Sequence, residues 1–124
     1  MNNLSPTKKR ILCVEDNVDT CELLAVLLRD FEFEYTDSVS SAFEAIARVR
    51  HDLYILDNWL PDGSGLEVCR EIRRLYDDVP IIFASAAAQR YEIEEGLAAG
   101  ANEYLLKPFD PEVLRRVVKD LIGM

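Results

Sequence analysis

A chain of 124 residues has room for one domain, and 49% apolar against 30% charged side chains is the balance of a folded globular protein rather than a disordered one. Asp and Glu outnumber Lys and Arg 23 to 14, a formal net charge of -9 that repels phosphate backbones and anionic lipid and favours cations or basic partner surfaces. Direct nucleic-acid and membrane binding are therefore not expected of this chain by itself. No apolar run approaches the ~20 residues of a membrane span and MNNLSPTKKR is not a signal peptide, so the cytoplasm is the expected compartment.

Residues 1–8 read as a short flexible leader and residues 9–124 as the domain. Ile11–Val14 is a near-continuous apolar run, the pattern of a strand buried on both faces. Leu24, Leu27, Leu28 and Phe31 then follow helical spacing. Phe31–Tyr35 alternates strictly and predicts an edge strand with one wet face. Ala42, Ala45, Ile46 and Val49 mark a second helix, with Ser41 and Glu44 as its capping box. Leu53–Leu56 is a second doubly buried strand. Ser64 with Glu67 caps the third helix, whose wet face carries Arg70, Arg73 and Arg74.

Ile81–Ala84 is a further buried strand, followed by a weak helix over about Gln89–Ala99. That helix has a thin apolar face around Ile93 and Leu97 and holds Gly96 inside, at ~1 kcal/mol against alanine. After the short run Tyr104–Leu106, Asp110-Pro111-Glu112 is a cap with proline at the first helical position. The last helix bears Val113, Leu114, Val117, Val118, Leu121 and Ile122 on one face, with Arg115, Arg116 and Lys119 toward solvent. His51 sits in a polar context and reads as a solvated surface residue. Cys13, Cys21 and Cys69 form no CxxC pair and no ligand spacing with it, so they are expected as reduced core thiols.

Five strand–helix units imply a doubly wound α/β fold, a parallel sheet with helices on both faces. Sites in such sheets lie outside the carboxyl ends of the strands. Those ends carry Glu15 and Asp16, then Asp57, then Ser85, then Lys107 followed by Pro108. Singly, each has a plain structural reading, such as a helix cap at Asp16 or a turn at Ser85. Together they gather three carboxylates around one ammonium, which calls for a proton or a cation. An all-oxygen set selects a hard ion, and Mg²⁺ fits.

The segments ILCVED, LYILDNWLPDGSG, IIFASA and ANEYLLKPF, in this order, resemble the receiver (phosphoacceptor) domain of two-component response regulators over residues 9–123. The resemblance implies a flavodoxin-like (βα)5 sheet of strand order 2-1-3-4-5. It implies that Asp57 accepts a phosphoryl group from the phosphohistidine of a sensor histidine kinase or phosphotransfer protein. Glu15, Asp16, Asp57 and the backbone carbonyl of Trp59 would hold Mg²⁺, while Lys107 and Ser85 meet phosphoryl oxygens. A cis Lys107–Pro108 bond is implied as well. Ser85 and Tyr104 would form the switch that remodels the face of the fourth helix, fifth strand and fifth helix. An unidentified downstream partner, an output domain or a second copy would read that face.

The same resemblance implies a regulatory domain rather than an enzyme, with limited Mg²⁺-dependent self-phosphorylation and autodephosphorylation. This chain departs from the pattern at Glu15, where aspartate is frequent, and at Leu60, where methionine is usual. Trp59 is bulkier than expected and should screen the site from water, and Ala87 has no polar group to guide one. A phosphohydrolase of the dehalogenase type would need a carboxylate where Trp59 stands. A non-phosphorylated scaffold on this fold would lack an acidic residue, the Asp or the Lys, and none is missing.

Overall fold

Each buried strand alternates its side chains between two cores, and the helices divide accordingly. A computed structural model describes residues 8–123. Its central sheet consists of β1 (Arg10–Val14), β2 (Glu32–Thr36), β3 (Leu53–Leu56), β4 (Ile81–Ser85) and β5 (Glu103–Leu106), all parallel, in the order β2-β1-β3-β4-β5. The helices are α1 (Val18–Leu27), α2 (Val39–Arg48), α3 (Gly65–Leu75), α4 (Arg90–Ala98) and α5 (Pro111–Ile122). The expected doubly wound architecture and strand order are both present. The leader expected over residues 1–8 lies, except for Lys8, outside the described residues.

Ile11, Cys13, Leu53, Ile55, Ile82 and Ala84 face α1 and α5, which answer with Leu24, Leu28, Leu114 and Val118. Leu12, Val14, Tyr54, Leu56, Ile81 and Phe83 face the other side, where α2 and α3 supply Ala42, Ala45, Ile46, Val68, Cys69 and Ile72. Burying one such aliphatic side chain contributes about 1.5–3 kcal/mol, so the central strands are the most firmly held part of the chain. α4 sits apart. Gly96 is its one buried residue, and Leu97, expected on its apolar face, is 44% exposed.

Several local expectations change. α2 starts earlier than its apolar stripe suggested: Ser38 is the N-cap and closes a reciprocal box with Ser41, not Ser41 with Glu44. A second cap comes from outside the helix, where Asp62 accepts the N–H of Val39 at 2.7 Å and of Ser40 at 3.0 Å. The Ser64–Glu67 box and the Asp110 cap are as expected. Arg73 is not a free surface residue; its guanidinium donates to the Gly100 carbonyl and holds α3 to the α4–β5 turn. Arg115 and Lys119 reach Asp30.

His51 is the clearest reversal. It is 1% exposed rather than solvated, with its ring edge against Tyr54 and Nε2 3.0 Å from Glu34. Edge strand β2 turns Glu34 toward the start of β3, and that carboxylate gives the imidazole a partner in place of water.

Candidate functional site

Backbone ladders run one residue beyond the strands and fix the site. Asp57 N–H donates to the Val14 carbonyl, Lys107 N–H to Ser85 and Glu15 N–H to Thr36, each at 2.9 Å. The residues that follow β1, β3 and β5 are therefore held by the sheet itself, before any side-chain contact is counted. Gly65 completes the fit behind Asp57, because a Cβ there would sit 2.3 Å from the Asp57 carbonyl oxygen.

Glu15, Asp16, Asp57, Ser85 and Lys107 all come to this one edge. Glu15, Asp16 and Asp57 each present a carboxylate oxygen within 4.8 Å of the others. Glu15 and Asp57 are buried and Asp16 is exposed. The Lys107 ammonium lies between the two buried groups, with Nζ 2.5 Å from Glu15 Oε1 and 3.3 Å from Asp57 Oδ2. Burial pushes the Glu15 carboxyl above its ordinary value and the Asp57 charge adds to this, against the hydrogen bond from Lys107. Burial works to lower the Lys107 ammonium, but Glu15 and Asp57 outweigh it and hold it above its ordinary value. The Lys107–Pro108 bond is cis.

One ammonium against three carboxylates leaves the cluster net negative. The donors are all oxygens, two of them drawn out of water, which is the chemistry of a hard divalent cation. The residues present fit Mg²⁺ on that ground.

Ser85 is fully buried, and its Oγ accepts the N–H of Ala87 at 3.1 Å and of Asn58 at 3.4 Å. Tyr104 is half-buried, stacked on Phe83 at 5.3 Å, and donates its hydroxyl to the Ala87 carbonyl at 2.7 Å. Burial raises the Tyr104 phenol above its usual value, while neighbouring Asn58 and Ser85 work to lower it. Ala87 thus links the two residues expected to form the switch. Trp59 N–H points at Asp57 Oδ1 from 3.4 Å, but its side chain stands at the rim, in a residue 57% exposed.

Sequence reasoning missed three participants. Asn58 is buried and anchors both Ser85 and Ser64, an arrangement no local pattern announces. Ala87 acts only through its backbone. Trp59–Leu60 and Gly63–Ser64 pair as a two-residue hairpin that carries Asp62 to the start of α2, and the Asp62-Gly63 turn dipeptide was the available signal.

Comparison with known proteins places this geometry. Residues 11–119 match the family model described as the response regulator receiver domain. The DNA-binding response regulator MtrA of Mycobacterium tuberculosis H37Rv is 35% identical over 109 residues, which are 86% of this chain and 47% of MtrA. Response regulator MprA of Mycobacterium leprae is 37% identical over 91% of this chain and 50% of its own length. The chain thus spans about half the length of these relatives. The expectation of no nucleic-acid contact is confined to this segment, since MtrA is a DNA-binding protein about twice as long. Among solved structures, the receiver domain of a Pseudomonas aeruginosa sensor histidine kinase, with magnesium coordinated in its active-site cleft, has a TM-score of 0.84 at 33% identity, covering 95% of this chain and 100% of its own. Thermotoga maritima TrrA in complex with Mg²⁺-BeF has a TM-score of 0.81 at 36% identity, covering 91% of this chain and 98% of its own. With strand order, site geometry and family model in agreement, the chain belongs to the response regulator receiver domain family.

Proposed function

We propose that residues 9–124 act as a cytoplasmic phosphoacceptor, in which Asp57 takes a phosphoryl group from a sensor histidine kinase or phosphotransfer protein. The observation that carries this reading is the convergence of Glu15, Asp16, Asp57 and Lys107 on one sheet edge. A carboxylate oxygen of Asp57 attacks phosphorus, the P–N bond to the donor imidazole breaks, and the imidazole keeps the bonding electrons. Lys107, with Nζ 3.3 Å from Asp57 Oδ2, takes up charge on a phosphoryl oxygen after the transfer. Glu15, Asp16, Asp57 and the Trp59 carbonyl would hold Mg²⁺, which supplies charge neutralisation on the phosphoryl oxygens when bound. Relatives solved with Mg²⁺ support that assignment.

The buried Ser85 hydroxyl donates to a further phosphoryl oxygen. Moving Ser85 shifts Ala87, on which the Tyr104 hydroxyl rests, so the state of Asp57 is transmitted to the face of α4, β5 and α5. A downstream partner, an output domain or a second copy reads that face. The domain is regulatory, and its chemistry is limited to loading and slow loss of its own phosphoryl group.

Incubation with Mg²⁺ and a small acyl phosphate, followed by intact mass measurement, tests this. One phosphoryl adduct is expected, absent in Asp57→Asn and absent with excess chelator. Lack of an adduct on the wild-type chain, or an adduct retained by Asp57→Asn, would overturn the assignment.

A further inference from the structure

The fully buried Ser85 Oγ accepts two backbone N–H groups, that of Ala87 at 3.1 Å and that of Asn58 at 3.4 Å. A hydroxyl oxygen carries two lone pairs and one hydrogen on a roughly tetrahedral frame. With both lone pairs committed, the direction left over belongs to the hydrogen, and Ser85 is set to donate rather than accept. The Ala87 contact is a local turn bond, two residues on, of a kind short hydroxyl side chains commonly make. The Asn58 contact comes from the neighbouring strand: Leu56 pairs with Phe83, and that register continued by two residues sets Asn58 beside Ser85.

Asn58 is itself held from α3. Its carbonyl accepts the Gly65 N–H at 3.0 Å, and its Oδ1 accepts the Ser64 hydroxyl at 3.1 Å. Ser64 Oγ in turn accepts the Leu66 N–H at 2.8 Å and caps the helix. Asn58 is only 5% exposed, so its carboxamide is committed within the protein at the residue next to Asp57.

We propose that Asn58 is a positioning residue for phosphoryl transfer: its carboxamide, tied to Ser64, fixes the Asp57–Asn58 peptide so that the N–H occupies one lone pair of Ser85 and leaves the serine hydrogen for a phosphoryl oxygen. The proposal rests on Asp57 as the phosphoacceptor. No bond is made or broken at Asn58, which acts only through the orientation of Ser85. Without the carboxamide the peptide keeps only its Gly65 contact to α3, and the Ser85 hydroxyl is free to turn away and must be turned back before it can donate.

Intact mass measured over time with Mg²⁺ and a series of acetyl phosphate concentrations gives a maximal rate of adduct formation and a half-saturating concentration. Asn58→Leu, similar in volume but without the acceptor, should lower the maximal rate about tenfold and leave the half-saturating concentration unchanged. Ser85→Ala should lower it too, and Asn58→Leu added to Ser85→Ala should cost nothing further. A purely structural role would instead slow both backgrounds alike. Asn58→Ala serves if the leucine variant does not fold, as judged by urea denaturation. An unchanged maximal rate, equal losses with and without Ser85, or a change confined to the half-saturating concentration would each overturn the role of Asn58. No adduct on the wild-type chain would overturn the reading of Asp57 and this proposal with it.

Discussion

The ring of Tyr104 presses on Gly96 so closely that a Cβ there would lie 3.0 Å from two ring carbons. Gly96 therefore makes room within α4 at the expense of helix propensity. In Gly96→Ala, the ~1 kcal/mol expected from propensity should not appear in urea denaturation, because the ring must move. In a Tyr104→Ala background the same substitution should recover most of it. Equal gains in both backgrounds would show that the contact does not govern the site.

Asp62 provides a pH test remote from the acidic cluster. Its hydrogen bonds from Val39 and Ser40 hold its carboxyl below the usual carboxylate range. A depressed carboxylate stabilises the fold above its unfolded pKa, about 3.9, and that contribution is lost as pH falls through the lower folded value. Asp62→Ala should lower the urea midpoint at pH 7. The difference from wild type should begin to shrink below about pH 4 and vanish once both states are protonated. A difference that grows on acidification would contradict this.

Crowded carboxylates should make the site a local weakness. Neutralising Asp57 removes a repulsion that adds to burial in raising the Glu15 carboxyl, and leaves Lys107 its closer partner. Asp57→Asn should raise the urea midpoint in chelator. Added Mg²⁺ should narrow that gap by stabilising the wild type more. Denaturation curves with and without Mg²⁺ measure both effects.

Trp59 stands at the rim with its backbone N–H toward Asp57. Replacement with alanine or asparagine should shorten the lifetime of the phosphoryl adduct by opening a path for water. Timing adduct loss by mass checks this, and unchanged lifetimes would remove any screening role for the indole.

Strands and site residues were legible because their signals are local. Ile11–Val14, Leu53–Leu56 and Ile81–Ala84 are apolar throughout, and each is followed at once by a residue of the site. What escaped depends on contacts between distant segments. The second cap on α2 comes from Asp62, 23 residues beyond Val39. His51 is buried because Glu34, 17 residues earlier, supplies its partner, while hydropathy reads only a polar neighbourhood. Gly96 reads as a weak point in a helix until the ring of Tyr104 is seen filling the space a methyl would occupy.

The continuation of the strand ladders into Glu15, Asp57 and Lys107 has a bearing on how such a domain can diversify. Side chains anchored by main-chain pairing do not depend on the composition of the surrounding helices. Helix surfaces can therefore be rewritten for new partners while these three side chains keep their spacing. A single-residue insertion within β1, β3 or β5 has no such freedom, since it would turn the side chains beyond it to the opposite face of the sheet. Chemistry in this fold is inherited through the frame, and specificity through the skin.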